Sequence, residues 1–310
     1  MTASPDGPTA AGSSRCYQVT HRTVYRYSDV VTSSYGRGFL TPRDSERQRC
    51  LSHELRIDPE AADSSTSRDA YGNISSYFHV TERHHSLSIT SGSVVEVDPP
   101  PPELYGGGSA RAPWEIARPV GLDGALATEF TLDLQPPEIT DEVRDYAAPS
   151  FVPGRPLIEV LRDLSSRIYS DFTYRSGSTT VSTGVAEVLA AREGVCQDFA
   201  RLAIACLRAN GLAASYVSGY LATHPPPGKE RMIGIDATHA WPSVWTPQNQ
   251  WLGFDPTNDK LVDERYIIVG WGRDYADVPP LRGIIYTDSR KSVINVAVDV
   301  APFDGGVLHA

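Results

Sequence analysis

The sequence is poor in the residues that build metal sites and disulfide frameworks. Only four of its 310 residues are cysteine, at positions 16, 50, 196 and 206, and no two form a CxxC pair. This spacing excludes a zinc site built on paired cysteines and does not suggest a disulfide framework. His84 and His85 are adjacent, but neighbouring residues on a strand face opposite ways and do not bind one ion. We therefore expect neither a metal nor a cofactor.

The sequence also lacks the hydrophobic runs of exported and membrane proteins. Residues 1–15 are small and polar, without the apolar core of a signal peptide, and are expected to form a disordered tail. No later run is long enough to span a bilayer. Positive charge is scarce as well, because 28 Lys and Arg stand against 38 Asp and Glu, a formal net charge of −10. We expect a cytoplasmic protein whose partners include neither nucleic acid nor membrane.

Residues 16–98 have the pattern of a β-rich domain. Segments rich in β-branched and aromatic side chains are separated by turn signals, and none has a helical period. They predict a β-sandwich-like N-terminal domain. Residues 99–135 begin with four prolines and are expected to be a connecting segment with a strand near Phe130–Leu134. The strands predicted in the domain are Cys16–Tyr27, Val30–Pro42, Leu51–Asp58, Ile74–Glu82 and Leu87–Val97.

Residues 136–303 change from helices to strands, an order typical of an α+β domain. Apolar residues at helical spacing predict a helix over Pro156–Tyr169 and another from Cys196 to a stop at Asn210-Gly211. Asp236–Thr246 and Gln250–Phe254 predict a β-hairpin. Further strands are expected at Tyr266–Val269, Gly283–Thr287 and Ser292–Val300, and residues 304–310 are expected to form a tail.

Cys196 stands where a loop turns into a helix. The stretch Gly194–Arg201 places it on the first helical turn. Free backbone N–H groups and the positive end of the helix dipole converge there, which favours a thiolate over a thiol. The same N–H groups can stabilise an oxyanion. Cys196 is therefore a candidate nucleophile, whereas the other three cysteines are expected to be inert buried thiols.

A base and an orienting acid follow Cys196 in the sequence. His239 lies in the first strand of the predicted hairpin and Asp255 at the end of the second, and antiparallel strands can hold two such side chains together. His239 would take the thiol proton, and Asp255 would fix the orientation of the imidazole. From spacing alone two simpler interpretations stay open: Asp255-Pro256 as a turn, and His239 as a surface or core residue.

Three motifs together resemble the core of the bacterial transglutaminase-like superfamily. They are Gly-Val-Cys-Gln-Asp-Phe-Ala at 194–200, Thr-His-Ala-Trp at 238–241 and Trp-Leu-Gly-Phe-Asp-Pro-Thr at 251–257. The segment 210–220 resembles the strand that follows the cysteine helix in this family, with Ser215 where arginine is common. The order and spacing of the motifs agree with the family.

The resemblance extends beyond the core. Thr41-Pro42-Arg43 and Asp69–Asn73 resemble the β-rich N-terminal domain of many bacterial members, and Gly272–Gly283 resembles a shared C-terminal segment. The resemblance implies an α+β, papain-like transglutaminase core and a Cys196–His239–Asp255 triad. It also implies attack on an amide carbonyl to give a thioester acyl-enzyme.

The resemblance leaves the second substrate open. Water as acceptor would make the protein a peptidase or amidase, the activity mostly attributed to bacterial members, and an amine would make it a crosslinking transglutaminase. A non-catalytic protein-binding module is the third alternative, disfavoured because all three triad residues are present. The expected substrate is a peptide or protein amide, and the oligomeric state stays open.

Four further residues are candidates for the oxyanion hole or the substrate site. Tyr174 is proposed as an oxyanion donor because the superfamily often uses an aromatic residue before the cysteine, and its alternative is core packing. Gln197 adjoins the nucleophile and could donate to the oxyanion, or be an exposed helix residue. Asp198 could bind a substrate amine, although capping of the helix is favoured. Trp241 is expected to pack the wall of the site.

Overall fold

The first sheet is built mainly from the N-terminal region. The computed structural model describes residues 13–122, 124–134, 136–223 and 238–303. Most of the predicted N-terminal tail, all of the predicted C-terminal tail and the first two residues of the predicted hairpin lie outside the described residues. Five strands come first: β1 (Arg15–Gly38), β2 (Gln48–Asp58), β3 (Asp63–Arg68), β4 (Ile74–Val80) and β5 (His84–Val97). Their order across the sheet is β2-β5-β1-β4-β3.

β1 combines two strands that the sequence predicted separately. A register shift between Arg26 and Val31 bends it, so that its first half pairs with β5 and its second half with β4. Residues from both halves then enclose one apolar cluster, which includes Tyr27, Phe78 and Ile89. This arrangement explains the sandwich-like character, although the strands form one hydrogen-bonded sheet. β3 was not predicted because its sequence, Asp-Ser-Ser-Thr-Ser-Arg, is polar and fully exposed.

The connecting segment is packed rather than extended. It forms two short helices, α1 (Pro102–Gly106) and α2 (Gly108–Arg111), and its side chains Leu104 and Trp114 are buried. The strand expected near Phe130–Leu134 is wrong, since Thr128–Thr131 form a 3-10 turn. Phe130 is buried there against Trp251, which satisfies its apolar side chain without a strand.

Three helices and two short strands lead to the helix that carries the cysteine. In chain order they are α3 (Asp141–Ala147), α4 (Leu157–Asp171), β6 (Thr173–Tyr174), α5 (Val185–Ala191), β7 (Glu193–Gly194) and α6 (Cys196–Ala209). The predicted helices agree with α4 and α6. α4 buries Leu157, Leu161, Leu164 and Ile168, the side chains of its predicted apolar stripe.

The second sheet carries five antiparallel strands. They are β8 (Ala214–Leu221), β9 (Thr238–Trp245), β10 (Trp251–Asp255), β11 (Lys260–Leu261) and β12 (Tyr266–Gly272), in the order β11-β10-β9-β8-β12. β9 and β10 form the predicted hairpin. α6 packs on β8 and β9, so the sheet supports the helix that carries Cys196.

The last two strands return to the first sheet. β13 (Leu281–Thr287) and β14 (Ser292–Pro302) pair with the two halves of β1. The expectation that they belong to the helix-and-strand core of residues 136–303 is therefore wrong. The sequence showed where these strands lie but not which strand pairs with them. Val298 and Val300 of β14 join the apolar cluster that also contains α4, α6 and the second sheet.

One apolar cluster thus connects the two sheets. It contains Tyr17 and Val95 of the first sheet, Leu164 of α4 and Ile267 of the second sheet. Such continuity means that the two sheets share a core and are not joined by a linker alone. Within the described ranges, no helix has the length and hydropathy needed to cross a membrane.

Candidate active site

α6 begins at Cys196 because its N-terminus is capped by a buried carboxylate. The backbone N–H of Val195 donates to Asp198 Oδ2 over 2.8 Å, and the Thr179 hydroxyl donates to the same oxygen over 2.6 Å. Gly194 makes room for this cap, since a Cβ there would lie 2.9 Å from Asp198 Cβ. Asp198 is only 1% exposed. Its carboxylate therefore caps the helix and has no surface left for a substrate amine.

Asp198→Ala is expected to destabilise the protein by about 1–3 kcal/mol, because it removes the cap and leaves the Val195 N–H without a partner. Asp198→Asn is the matched control. Its amide oxygen can still accept from the Val195 N–H, so this variant should lose less stability than Asp198→Ala. Thermal unfolding followed by circular dichroism measures both. Equal unfolding temperatures for the wild type and Asp198→Ala would contradict the capping role.

His239 and Asp255 are brought together by the β9–β10 hairpin. His239 Nε2 lies 2.7 Å from Asp255 Oδ2. The Asp255 side chain is 0% exposed and the His239 side chain 10% exposed. This hydrogen bond uses Nε2, and Cys196 lies close enough to the imidazole to raise the pKa of His239. The structure thus brings together the three residues that the sequence proposed as a triad.

Asp255 is held by more donors than the sequence predicted. The Thr257 backbone N–H donates to Oδ1 over 2.9 Å. Oδ2 accepts from Asn258 Nδ2 over 2.6 Å and from the Tyr266 hydroxyl over 2.9 Å, in addition to His239. The Asx-turn pattern of Asp255-Pro256 could have suggested the Thr257 N–H, two residues on. No local pattern pointed to Tyr266, because it reaches Asp255 from β12.

The hydrogen bonds keep His239 and Asp255 charged. Burial lowers the pKa of His239, but its hydrogen bonds to Asp255 and Cys196 and the charges of these two residues raise it to about 10. Burial raises the pKa of Asp255, yet hydrogen bonds from His239, Asn258 and Tyr266 outweigh this and hold it below its usual range. At neutral pH the pair is therefore an imidazolium beside a carboxylate.

Two family models match the chain in the regions that contain these elements. The bacterial transglutaminase-like N-terminal region matches residues 17–96, and the transglutaminase-like superfamily model matches residues 145–256, which include Cys196, His239 and Asp255. The chain belongs to the transglutaminase-like superfamily. The predicted family and the predicted α+β fold are confirmed.

Three comparisons show how far the similarity extends. An uncharacterised protein of Mycobacterium tuberculosis is 78% identical over 298 residues, 95% of both chains. A protein-glutamine gamma-glutamyltransferase of Pseudomonas aeruginosa is 36% identical over 67 residues, 21% of this chain and 10% of that protein. The solved structure of a candidate cysteine protease from Cytophaga hutchinsonii has a TM-score of 0.70 at 18% identity and covers 95% of both chains. That structure shares the fold over nearly the whole length.

Trp241 and Tyr174 have different positions in this transglutaminase-like core. Trp241 is 1% exposed, and its ring lies 6.0 Å from the His239 ring and 5.2 Å from the Tyr266 ring. Its ring packs beside the imidazole, and its place in the wall of the site stays a prediction. Tyr174 is 53% exposed, and its ring edge packs on Phe199 one turn after the cysteine. Its role as an oxyanion donor stays a prediction.

Gln197 and the backbone at the start of α6 complete the surroundings of the cysteine. The backbone N–H groups of Asp198 and Phe199 both donate to the carbonyl of Val195. Those of Cys196 and Gln197 lie in the first turn, where a helix offers no carbonyl of its own to accept from them. The Gln197 side chain is partly exposed beside them. Among the described residues, no three His, Cys, Asp or Glu side chains cluster closely enough to hold a metal.

Proposed function

We propose that this member of the transglutaminase-like superfamily is a cysteine-dependent amide-bond hydrolase, a peptidase or amidase. The observation that supports it best is the pairing of His239 with a buried Asp255 beside Cys196 at the start of a helix. A catalytic base oriented by a buried carboxylate, next to a thiol, is the arrangement that cysteine nucleophiles require. The proposed substrate is a peptide or protein amide.

The proposed acylation step uses all three residues. The Cys196 thiolate attacks the carbonyl carbon of the amide, and the carbonyl oxygen becomes an oxyanion stabilised by backbone N–H groups at the start of α6. Gln197 and Tyr174 are the candidate side-chain donors to that oxyanion. The His239 imidazolium gives its proton to the amide nitrogen, the C–N bond breaks, and the amine leaves a thioester on Cys196.

The proposed second step restores the enzyme. His239, now neutral, takes a proton from water, and the hydroxide attacks the thioester carbon. The C–S bond breaks to release the carboxylic acid, and the thiolate and imidazolium form again. Asp255 keeps the same hydrogen bond through both steps and so holds the imidazole facing the sulfur.

An acyl transferase is the second candidate, because an amine can attack the same thioester. The short similarity to a gamma-glutamyltransferase supports it weakly, since it covers 21% of this chain. We expect neither candidate to need a metal or cofactor. The cytoplasmic location also stays a prediction, which fractionation of cells that express the protein would test.

The two candidates differ in what accepts the acyl group. We expect the wild type to cleave members of a peptide library in water, with less than a tenth of the acyl product captured by a fluorescent primary amine at millimolar concentration. Mass spectrometry of the peptides and fluorescence of the products measure the two outcomes side by side. Predominant capture of the amine would identify a transglutaminase. No reaction in either assay across the library would favour the non-catalytic binding module.

A further inference from the structure

The N-terminal motifs Thr41-Pro42-Arg43 and Asp69–Asn73 meet β12 at the interface of the two sheets. Three side chains make the contact: Arg43 and Asn73, which end the two motifs, and Gln48, the first residue of β2. We call them the clasp residues. All three are buried. The clasp binds the backbone of β12, the strand at whose start Tyr266 lies.

Two clasp residues use side-chain amides as a substitute for a neighbouring strand. Gln48 Oε1 accepts from the Ile268 N–H over 2.7 Å, and Gln48 Nε2 donates to the Ile268 carbonyl over 2.7 Å. Asn73 Oδ1 accepts from the Trp271 N–H over 2.9 Å, and Asn73 Nδ2 donates to the Trp271 carbonyl over 2.7 Å. The backbone N–H and carbonyl of Ile268, and those of Trp271, therefore each have a hydrogen-bond partner in the N-terminal region.

Arg43 connects the two amides. Its Nη1 donates to Asn73 Oδ1 over 2.7 Å, its carbonyl accepts from Gln48, and its guanidinium lies 3.2 Å from the centre of the Trp271 ring. The clasp surrounds a bulge, because the pairing of β12 with β8 shifts between Ile268 and Gly270. A bulge leaves one residue unpaired and disrupts the ladder locally, and the clasp supplies hydrogen-bond partners to the backbone on either side of it.

Tyr266 lies two residues before Ile268, and its hydroxyl donates to Asp255 Oδ2, the oxygen that accepts from His239. We propose that Tyr266 is a positioning residue for the triad and that the N-terminal region, through the clasp, holds β12 so that this hydroxyl meets Asp255. The N-terminal region is then part of the catalytic apparatus rather than an appended module. This inference rests on the proposed triad, and its chain of contacts runs from Gln48 through β12 to Asp255.

The first test is the rate at which iodoacetamide alkylates Cys196 at pH 7, followed by mass spectrometry. Tyr266→Phe keeps the ring and its packing and should slow alkylation about tenfold, because a loosened Asp255 no longer holds His239 facing the sulfur. Gln48→Leu should slow it by a smaller factor. If both act through β12, the double variant is no slower than Tyr266→Phe alone. Unchanged alkylation of Tyr266→Phe, or factors that multiply in the double variant, would overturn the proposal.

Two matched controls separate positioning from loss of stability. Tyr220→Phe removes another buried phenol, whose hydroxyl bonds His21, and Ser34→Ala removes a buried hydrogen bond to His84 within the first sheet. Both should leave the alkylation rate unchanged at temperatures where they remain folded. A control that slows alkylation as much as Tyr266→Phe would assign the effect to stability. If Gln48→Leu does not fold, Tyr266→Phe and its control carry the test.

The second readout does not depend on chemistry at the sulfur. In Cys196→Ala protein, NMR of the His239 imidazole should show a titration midpoint that falls by about one pH unit on addition of Tyr266→Phe, because a displaced Asp255 stabilises the imidazolium less. Loss of the hydroxyl without displacement would make the carboxylate more basic and raise the midpoint, which would contradict the proposal. An unchanged midpoint contradicts the proposal even if the wild type hydrolyses peptides. Conversely, a shifted midpoint in a protein that cleaves no amide would support positioning while rejecting the hydrolase.

Discussion

Cys196→Ala is expected to lower the rate of amide hydrolysis by on the order of 10⁶, because removal of the nucleophile from a triad abolishes the covalent step. The fold should persist, since the Cys196 side chain is only partly buried and the cap at Asp198 does not involve it. Initial rates on a cleaved peptide, normalised to folded protein by circular dichroism, measure the effect. Full activity of the purified variant would reject the proposed function.

Cys206→Ala is the matched control for this experiment. Cys206 lies on the same helix, is completely buried, and its burial raises the pKa of the thiol to about 12. Its loss should cost stability by about 1 kcal/mol through a small cavity and leave hydrolysis unchanged below the unfolding temperature. Activity that depends equally on both cysteines would indicate a structural effect and not a nucleophile.

Asp255→Asn is expected to lower kcat about 10⁴-fold. The imidazole loses the acceptor that fixes its tautomer and orientation. The same variant should change the dependence of stability on pH. The folded-state pKa of His239 is raised from 6.5 to about 10. The pairing of His239 with Asp255 therefore stabilises the fold fully below pH 6.5, and this stabilisation is lost as the pH rises towards 10. The pKa of Asp255 is lowered from 3.8, so its contribution is present above that pH and is lost on acidification.

The loss of stability in Asp255→Asn should therefore be largest between about pH 4 and 6.5 and should shrink towards pH 10. Thermal unfolding of the wild type and the variant across this range tests the sign. Asp263→Asn serves as control, because Asp263 pairs with Arg265 outside the triad and should cause a small loss that varies little with pH over this range. A loss that grows with pH in Asp255→Asn would contradict the charge state assigned to the pair.

The sequence predicted those parts of the site that depend on local pattern. The apolar stripe and the Asn210-Gly211 stop defined α6, and two strand segments around a turn defined the hairpin. Spacing alone left the roles of His239 and Asp255 open, and the resemblance of the three motifs to the family is what assigned the triad. The cap by Asp198 was also predictable, because an acid in the first turn of a helix is favoured there for electrostatic reasons.

The parts that escaped prediction depend on the order of strands. Tyr266 lies on β12, which β8 and β9 separate from β10, yet its hydroxyl reaches Asp255 at the end of β10. Gln48 and Asn73 look like ordinary polar residues of turns and strand ends, and their role requires the second sheet to be in contact with the first. β14 has the pattern of any edge strand, and nothing local indicates that β1 is its partner.

The pairing of β1 with β14 also determines the order in which this chain can fold. Tyr17, near the start of the described chain, lies opposite Pro302, near its end. During synthesis β1 leaves the ribosome before β14, so one of its edges stays uncovered until β14 has emerged. Contacts between residues so distant in sequence form slowly, and an uncovered edge is open to pairing with other chains. The sheet that β1 begins is thus completed only when β14 pairs with it.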